Sequence, residues 1–155
     1  MATFSFNGMD AIEASFQEMS QLSDEEKYSV IAPAAELLRQ RFVEKIKAVF
    51  VQRSGKLAES ITVVQKSDDA GTYAHITPTG KHPASSTGKR KRKDGKANGR
   101  YSGSNAEVAW ILEHGSPRIA PRHWMETTNE ESEDEVIAAE EAAWDDLLRS
   151  KGLLP

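Results

Sequence analysis

A stripe of apolar side chains between Tyr28 and Val49 constrains the fold more than any other feature of the sequence. Apolar residues recur there at steps of three and four, which is the spacing of one face of an α-helix: Tyr28, Ile31, Ala34 or Ala35, Leu38, Phe42, Ile46 and Val49. Ser23 followed by Glu26 has the pattern of a capping box, so we predict a long helix from Asp24 towards Phe50. Pro33 lacks the N–H that the helix needs, and we expect either a kink or a restart with Pro33 in the first turn.

Shorter elements are predicted on both sides of this helix. Phe4 and Phe6 alternate with polar residues, which indicates a short strand or an anchoring arm, and residues 9–19 have the spacing of a first helix. After Gly55, the β-branched or aromatic runs 61–64 and 73–76 flank a polar, glycine-containing turn, which predicts a hairpin.

The C-terminal half contains two more apolar segments. The run "AEVAWILEHG" is predicted to complete the sheet, with Trp110, Ile111 and Leu112 in the core, and a last helix with an acidic outer face is predicted at about 124–149. We therefore expect an α+β fold: a small antiparallel sheet packed by the long N-terminal helix, with a C-terminal helix that lies on the sheet or reaches a neighbour.

Composition limits the class of protein. The chain has 155 residues, 38% of them hydrophobic and 28% charged, which suits a single domain over 1–155. It has no cysteine, and this excludes disulfides, cysteine-ligated zinc and a thiol nucleophile. We expect no membrane association, because the first residues lack a secretory pattern and no apolar run is long enough to cross a bilayer.

The net charge of −4 averages two opposed blocks, one acidic and one basic. Residues 79–104 are rich in Gly, Ser and Lys and have almost no large apolar side chain, which predicts a long mobile loop. The candidate contact residues of this basic segment are Lys89, Arg90, Lys91, Arg92, Lys93, Lys96 and Arg100. Three uses stay open: a solvated loop, a salt-dependent contact with phosphates, or a contact with the acidic helix of the next subunit in a ring.

Residues 113–123 gather the side chains that most resemble an active site. Glu113, His114 and His123 are conceivable metal ligands or an acid–base pair, but two histidines nine residues apart across a Gly-Ser-Pro turn match no compact ligand spacing. We therefore predict no catalytic residue, no metal site and no cofactor. An enzyme that uses Glu113 and His114 is kept as a rival hypothesis.

Three stretches, taken in order, resemble the motifs of one family. They are "FSFNGMDAIEASFQEMSQL", "SGKLAESI" and "AEVAWILEHGSPRIAPRHWMETTNEES". The family is the small head-to-tail joining, or neck and tail-completion, proteins of long-tailed bacteriophages and prophages. His114 stands where Tyr or Phe is usual, and "APRHW" replaces Ala-Arg-Pro-Phe.

The resemblance implies a non-enzymatic virion protein, made in the bacterial cytoplasm, that forms a homo-oligomeric ring at the neck or upper tail. Its partners would be connector or adaptor, tail terminator or tail tube proteins, with non-specific contact to genomic DNA if the basic segment faces the lumen. The residues expected to form structural joints are Gly55, Leu57, Ile61, Glu113, Gly115, Pro117, Pro121, Arg122 and Trp124. Within this set, Trp124 is expected to anchor the last helix on the sheet, and Arg122 to pair with Glu113 locally or across subunits. The alternative is a small nucleic-acid-binding protein that acts through its basic segment.

Overall fold

The computed structural model describes residues 17, 20–50, 55–69, 71–81 and 104–154. Its elements, in chain order, are α1 (Asp24–Val49), α2 (Lys56–Glu59), β1 (Ile61–Asp68), β2 (Gly71–Pro78), α3 (Asn105–His114) and α4 (Trp124–Ser150). The fold is the predicted α+β class, with a long helix, a two-stranded antiparallel sheet and a C-terminal helix. The predicted strand at Phe4–Phe6 and nearly all of the predicted helix at 9–19 lie outside the described residues, as do residues 82–103 of the basic segment.

Helix α1 begins at the predicted capping box. The Ser23 hydroxyl accepts a hydrogen bond from the Glu26 amide (3.2 Å), and the Glu26 carboxylate accepts one from the Ser23 amide (2.9 Å). The predicted restart at Pro33 is wrong, because the helix runs without a break from Asp24 to Val49. Because Pro33 has no N–H, the carbonyl of Ser29 accepts no helical hydrogen bond from it. Ser29 and Pro33 are both exposed, so water can hydrogen-bond to that carbonyl instead.

Residues 55–61 of the stretch "SGKLAESI" lead into the first strand, where the turn after α1 is predicted. Gly55 has φ 68°, a left-handed conformation that favours glycine, and it is followed by the short helix α2. Leu57 and Ile61 are buried as predicted, whereas Lys56 and Glu59 are exposed. The predicted hairpin is also confirmed, with Ile61 opposite Pro78 at one end and Asp68 opposite Gly71 at the other.

The prediction of a further strand at "AEVAWILEHG" is wrong, because these residues belong to helix α3. The Ser104 hydroxyl caps its first turn by accepting a hydrogen bond from the Glu107 amide (3.0 Å). Successive helical side chains point about 100° apart, so Trp110, Ile111 and Leu112 cannot all face the core. Leu112 packs against the core and Ile111 is half-buried, but Trp110 is 60% exposed.

Helix α4 lies antiparallel along α1, and not chiefly on the sheet as one expectation had it. Two ion pairs between the helices show this direction, Arg41 with Glu135 (2.6 Å) and Lys45 with Glu131 (2.8 Å). A third joins Glu26 to Lys151, the residue that follows α4. All of these side chains are partly exposed, so solvent screens the pairs and each adds little to stability. The acidic outer face predicted for this helix is therefore partly neutralised by bases of α1.

The core forms where Trp124, the first residue of α4, meets α1. Trp124 is 1% exposed, and its ring makes edge contacts with the rings of Phe42 (centroids 5.5 Å apart) and Phe50 (6.4 Å). Its indole N–H donates to the carbonyl of Ala109 in α3 at 3.4 Å. Trp124 thus anchors α4 to α1 and α3, which corrects the expectation that it packs on the sheet.

Two carboxylates at the start of α1, those of Asp24 and Glu26, have lowered pKa values. Hydrogen bonds from Ser67 (2.7 Å) and Thr72 (3.1 Å) of the hairpin lower the pKa of Asp24. The contact with Lys151 and the hydrogen bonds from Ser23 lower the pKa of Glu26 from its ordinary 4.5 to about 2. These two residues tie the start of α1 to the hairpin and to the end of α4.

Replacing Trp124 is expected to destabilise the fold far more than replacing Trp110. Trp124→Ala removes a buried ring and leaves a cavity, which costs about 3–5 kcal/mol of unfolding free energy. Trp110→Ala changes an exposed side chain and is expected to stay within about 0.5 kcal/mol. Urea denaturation of both variants measures this difference, and equal losses would contradict the packing described for Trp124.

Glu26 is expected to make stability depend on pH. Because folding lowers its pKa, its contribution is complete above about pH 5 and is lost as the pH falls from about 4.5 to about 2. Glu26→Gln keeps an acceptor for the capping box but loses the charge, so its melting temperature should lie below that of the wild type at pH 7. The gap should narrow strongly as the pH falls towards 2, and a gap of equal size at pH 7 and pH 2 would refute the assignment.

Candidate functional site

The passage from α3 to α4, residues 113–124, contains most of the predicted joint residues, and we call it the α3–α4 joint. It opens at Gly115, whose amide donates to the carbonyl of Ile111 (2.8 Å) and whose φ is 82°. A Cβ on Gly115 would lie 2.9 Å from the carbonyl oxygen of Ile119 and equally close to Pro121. Both the backbone angle and the close approach therefore require glycine. The prediction that Gly115 and Pro121 shape this passage agrees with the geometry, although the joint connects two helices and not a sheet to a helix.

A tight turn projects from the joint. Ser116 and Ile119 exchange two backbone hydrogen bonds, of 2.8 and 3.1 Å, across Pro117 and Arg118. Proline fixes its own φ and so favours such a turn. All four residues are exposed, with no contact to the buried core cluster.

The carboxylate of Glu113 joins the two helices. It is 6% exposed, and its two oxygens accept hydrogen bonds from the amides of Met125 (2.7 Å) and Glu126 (3.2 Å). These amides belong to the first turn of α4, where N–H groups have no helical acceptor and the helix dipole favours a negative charge. An acid in the last turn of one helix therefore caps the next, while the actual N-cap residue, His123, makes no side-chain cap.

Arg122 contributes to the joint through its backbone. Its amide donates to the carbonyl of Leu112 (2.9 Å), and the amide of His123 donates to the carbonyl of Glu113 (3.2 Å). The predicted local ion pair between Arg122 and Glu113 does not occur among the described ion pairs, because both oxygens of the buried Glu113 already face the α4 amides. A pair across subunits stays a prediction.

The structure separates the residues that we weighed as an acid–base or metal site. His114 is exposed and its ring lies 5.0 Å from that of Trp110. His123 instead lies beside Glu113, together with Glu126, and one potential ligand atom from each of these three residues lies within 4.8 Å of the others. The Glu113 oxygens, however, are engaged by two amides, and the positive end of α4 disfavours a cation there. This arrangement serves to cap a helix.

Sequence reasoning missed Glu126, which completes this cluster. Its carboxylate lies 3.3 Å from Nδ1 of His123. A signal was available, because Glu126 follows the N-cap by three residues, as the acid of a capping box does. The capping-box pattern is hard to recognise here because the N-cap residue is His123, and histidine is not a usual capping residue.

The basic contact residues, from Lys89 to Arg100, lie outside the described part of the chain, but both ends of their segment are visible. Lys81 pairs with Ser104 in an isolated β-bridge. The Asn105 amide donates to the Gly80 carbonyl (3.0 Å), and the Asn105 side chain donates to the Thr79 carbonyl (2.6 Å). The residues that flank 82–103 are therefore joined to each other directly.

Comparisons with protein-family models, curated proteins and solved structures return no match for this chain. None of the helices in the described ranges combines the length and the apolar character that crossing a membrane requires.

Removing the Glu113 carboxylate is expected to loosen the α3–α4 joint. Glu113→Ala leaves two first-turn amides without their acceptor, at a cost of about 1–2 kcal/mol in unfolding free energy. Glu130→Ala, which removes an exposed acid from the same helix, serves as the control and is expected to change little. Chemical denaturation compares the two, and a neutral Glu113→Ala would show that the cap is dispensable.

Proposed function

We propose that this protein is a structural subunit of a tailed bacteriophage particle, which forms a ring at the neck or upper tail and joins the head connector to the tail. The observation that carries the proposal is that the motif residues act as joints. Gly55, Leu57 and Ile61 turn the chain from α1 into the hairpin, and Glu113 and Gly115 turn it from α3 into α4. The motifs that resemble the joining family thus serve to fix the angles between elements.

The chemistry of Glu113 supports a mechanical role. A general base needs a carboxylate that can reach a substrate, but this carboxylate is buried and accepts two backbone hydrogen bonds. The most conspicuous acid of the motif is therefore used to hold two helices at a set angle. Rigid joints of this kind suit a protein whose work is to position its neighbours.

The distribution of charge supports contacts between subunits. The basic segment is flanked by Lys81 and Ser104, which pair in an isolated β-bridge. In the first half of α4, three exposed acids have no ion pair within the described residues: Glu130, Glu133 and Asp134. A basic segment on one subunit and an acidic helix on the next make a head-to-tail contact, which closes into a ring when the rotation allows.

The proposal is tested by removing the basic residues from the phage or prophage that encodes the chain. Deletion of residues 89–93 is expected to leave the melting temperature unchanged while lowering the yield of infectious particles, with unjoined heads and tails in electron micrographs. Deletion of residues 84–88, which removes five uncharged residues of the same segment, is the matched control and should leave the yield normal. Unchanged infectivity after deletion of 89–93 would refute the proposed role of the segment.

A complete deletion of the gene tests the wider proposal. Loss of the protein is expected to leave filled heads and tails that do not join, and supply of the wild-type chain should restore joined particles. Complete particles without the protein would overturn the assignment to the neck.

The alternative, a nucleic-acid-binding protein, is favoured by the run of five basic residues at 89–93. It predicts that the purified chain binds short duplex DNA with an affinity that falls steeply as salt increases. Such binding together with normal particle assembly after gene deletion would favour this alternative.

A further inference from the structure

A groove on the side of the α1–α4 pair shares no lining residue with the α3–α4 joint, and we call it the side groove. Its floor is apolar, with Val30 and Ile31 from α1 and Ile137 and Trp144 from α4, and its volume is about 500 Å³. Thr72 of the hairpin also lines the groove. Ile137 is 47% exposed, although most of the large apolar residues of the described chain are better covered.

We propose that the side groove binds an apolar segment of another protein that carries lysine or arginine next to its apolar residues. Ile137 is exposed, and Ile31 and Trp144 are half-buried, so the groove offers a small apolar surface that a partner can cover. The charges along the rim indicate which kind of partner fits.

The rim of the side groove is acidic. Glu140 and Glu141 stand on the α4 side, and neither belongs to an ion pair within the described ranges. Lys27 stands on the α1 side, but its charge is offset by Asp24 at 3.6 Å. A partner that places a basic group beside an apolar one would bury Ile137 and Trp144 and also neutralise the two free carboxylates.

The same charges argue against two other occupants. A second copy docked groove to groove would bring Glu140 and Glu141 against their own duplicates, and like charges at an interface are costly. Residues 1–16 of the chain contain Asp10 and Glu13 and have no lysine or arginine, so they do not complement this rim.

Binding is tested on the full-length chain with two synthetic amphipathic peptides that have the same leucine pattern. One carries lysine at every polar position and the other glutamate. In ¹H–¹⁵N spectra the lysine peptide is expected to shift the indole signal of Trp144 saturably while leaving that of Trp124 in place. Equal binding of the glutamate peptide, or no saturable shift, would overturn the proposal.

Variants separate a specific rim from general attraction to an acidic protein. Glu140→Gln with Glu141→Gln is expected to weaken binding of the lysine peptide about tenfold. Glu130→Gln with Glu133→Gln removes the same charge from α4 outside the groove and should change the affinity little. If both double variants weaken peptide binding equally, the attraction is non-specific and the proposal is wrong.

Two further measurements exclude the other occupants. Deletion of residues 1–16 should leave the peptide affinity unchanged, whereas binding that appears only after this deletion would show that the chain fills its own groove. The Trp144 signal should not move when the protein alone is concentrated, since such a shift would assign the groove to a second copy. These measurements use the isolated chain, so their outcome is independent of the proposed role in particle assembly.

Discussion

The burial of Trp124 at the start of α4 is the interaction on which the rest of the structure depends. Its ring lies between Phe42 and Phe50, and its indole N–H reaches the backbone of α3. One side chain therefore brings three helices together. The ion pairs between α1 and α4 are partly exposed and add orientation more than energy, because solvent screens them. Because Trp124 fixes the start of α4 against α1, the rest of α4 packs along α1 from that point.

The α3–α4 joint shows how a motif that resembles an active site serves a structural purpose. A buried glutamate beside a histidine commonly indicates proton transfer, but the partners of Glu113 are backbone amides that need an acceptor. Gly115 allows the chain to turn where any side chain would collide with Ile119 and Pro121. Together they set the angle between two helices without a long loop, and this rigidity is what we propose the protein uses to position its neighbours.

The acids of α4 divide into groups with different surroundings. Glu131 and Glu135 face the bases of α1 and belong to the fold, whereas Glu140 and Glu141 line the rim of the side groove. Composition treats these residues alike, because each adds one negative charge to the sum. Their positions relative to α1 make the first group part of the helix pairing and leave the second group available to a partner.

The features that depend on local spacing can be predicted from the amino-acid sequence. The capping box at Ser23, the extent of α1 and α4, the hairpin and the glycine turn before α2 all follow from periodicity or from the backbone preferences of single residues. Only the tertiary structure decided that "AEVAWILEHG" is a helix, since a short apolar run fits a strand or a helix until its packing partners are known. The hydrogen bonds from Glu113 to amides twelve and thirteen residues away, and the packing of α4 along α1, are also visible only in the tertiary structure. Contacts between residues that are distant in the chain produce no periodic pattern in the sequence.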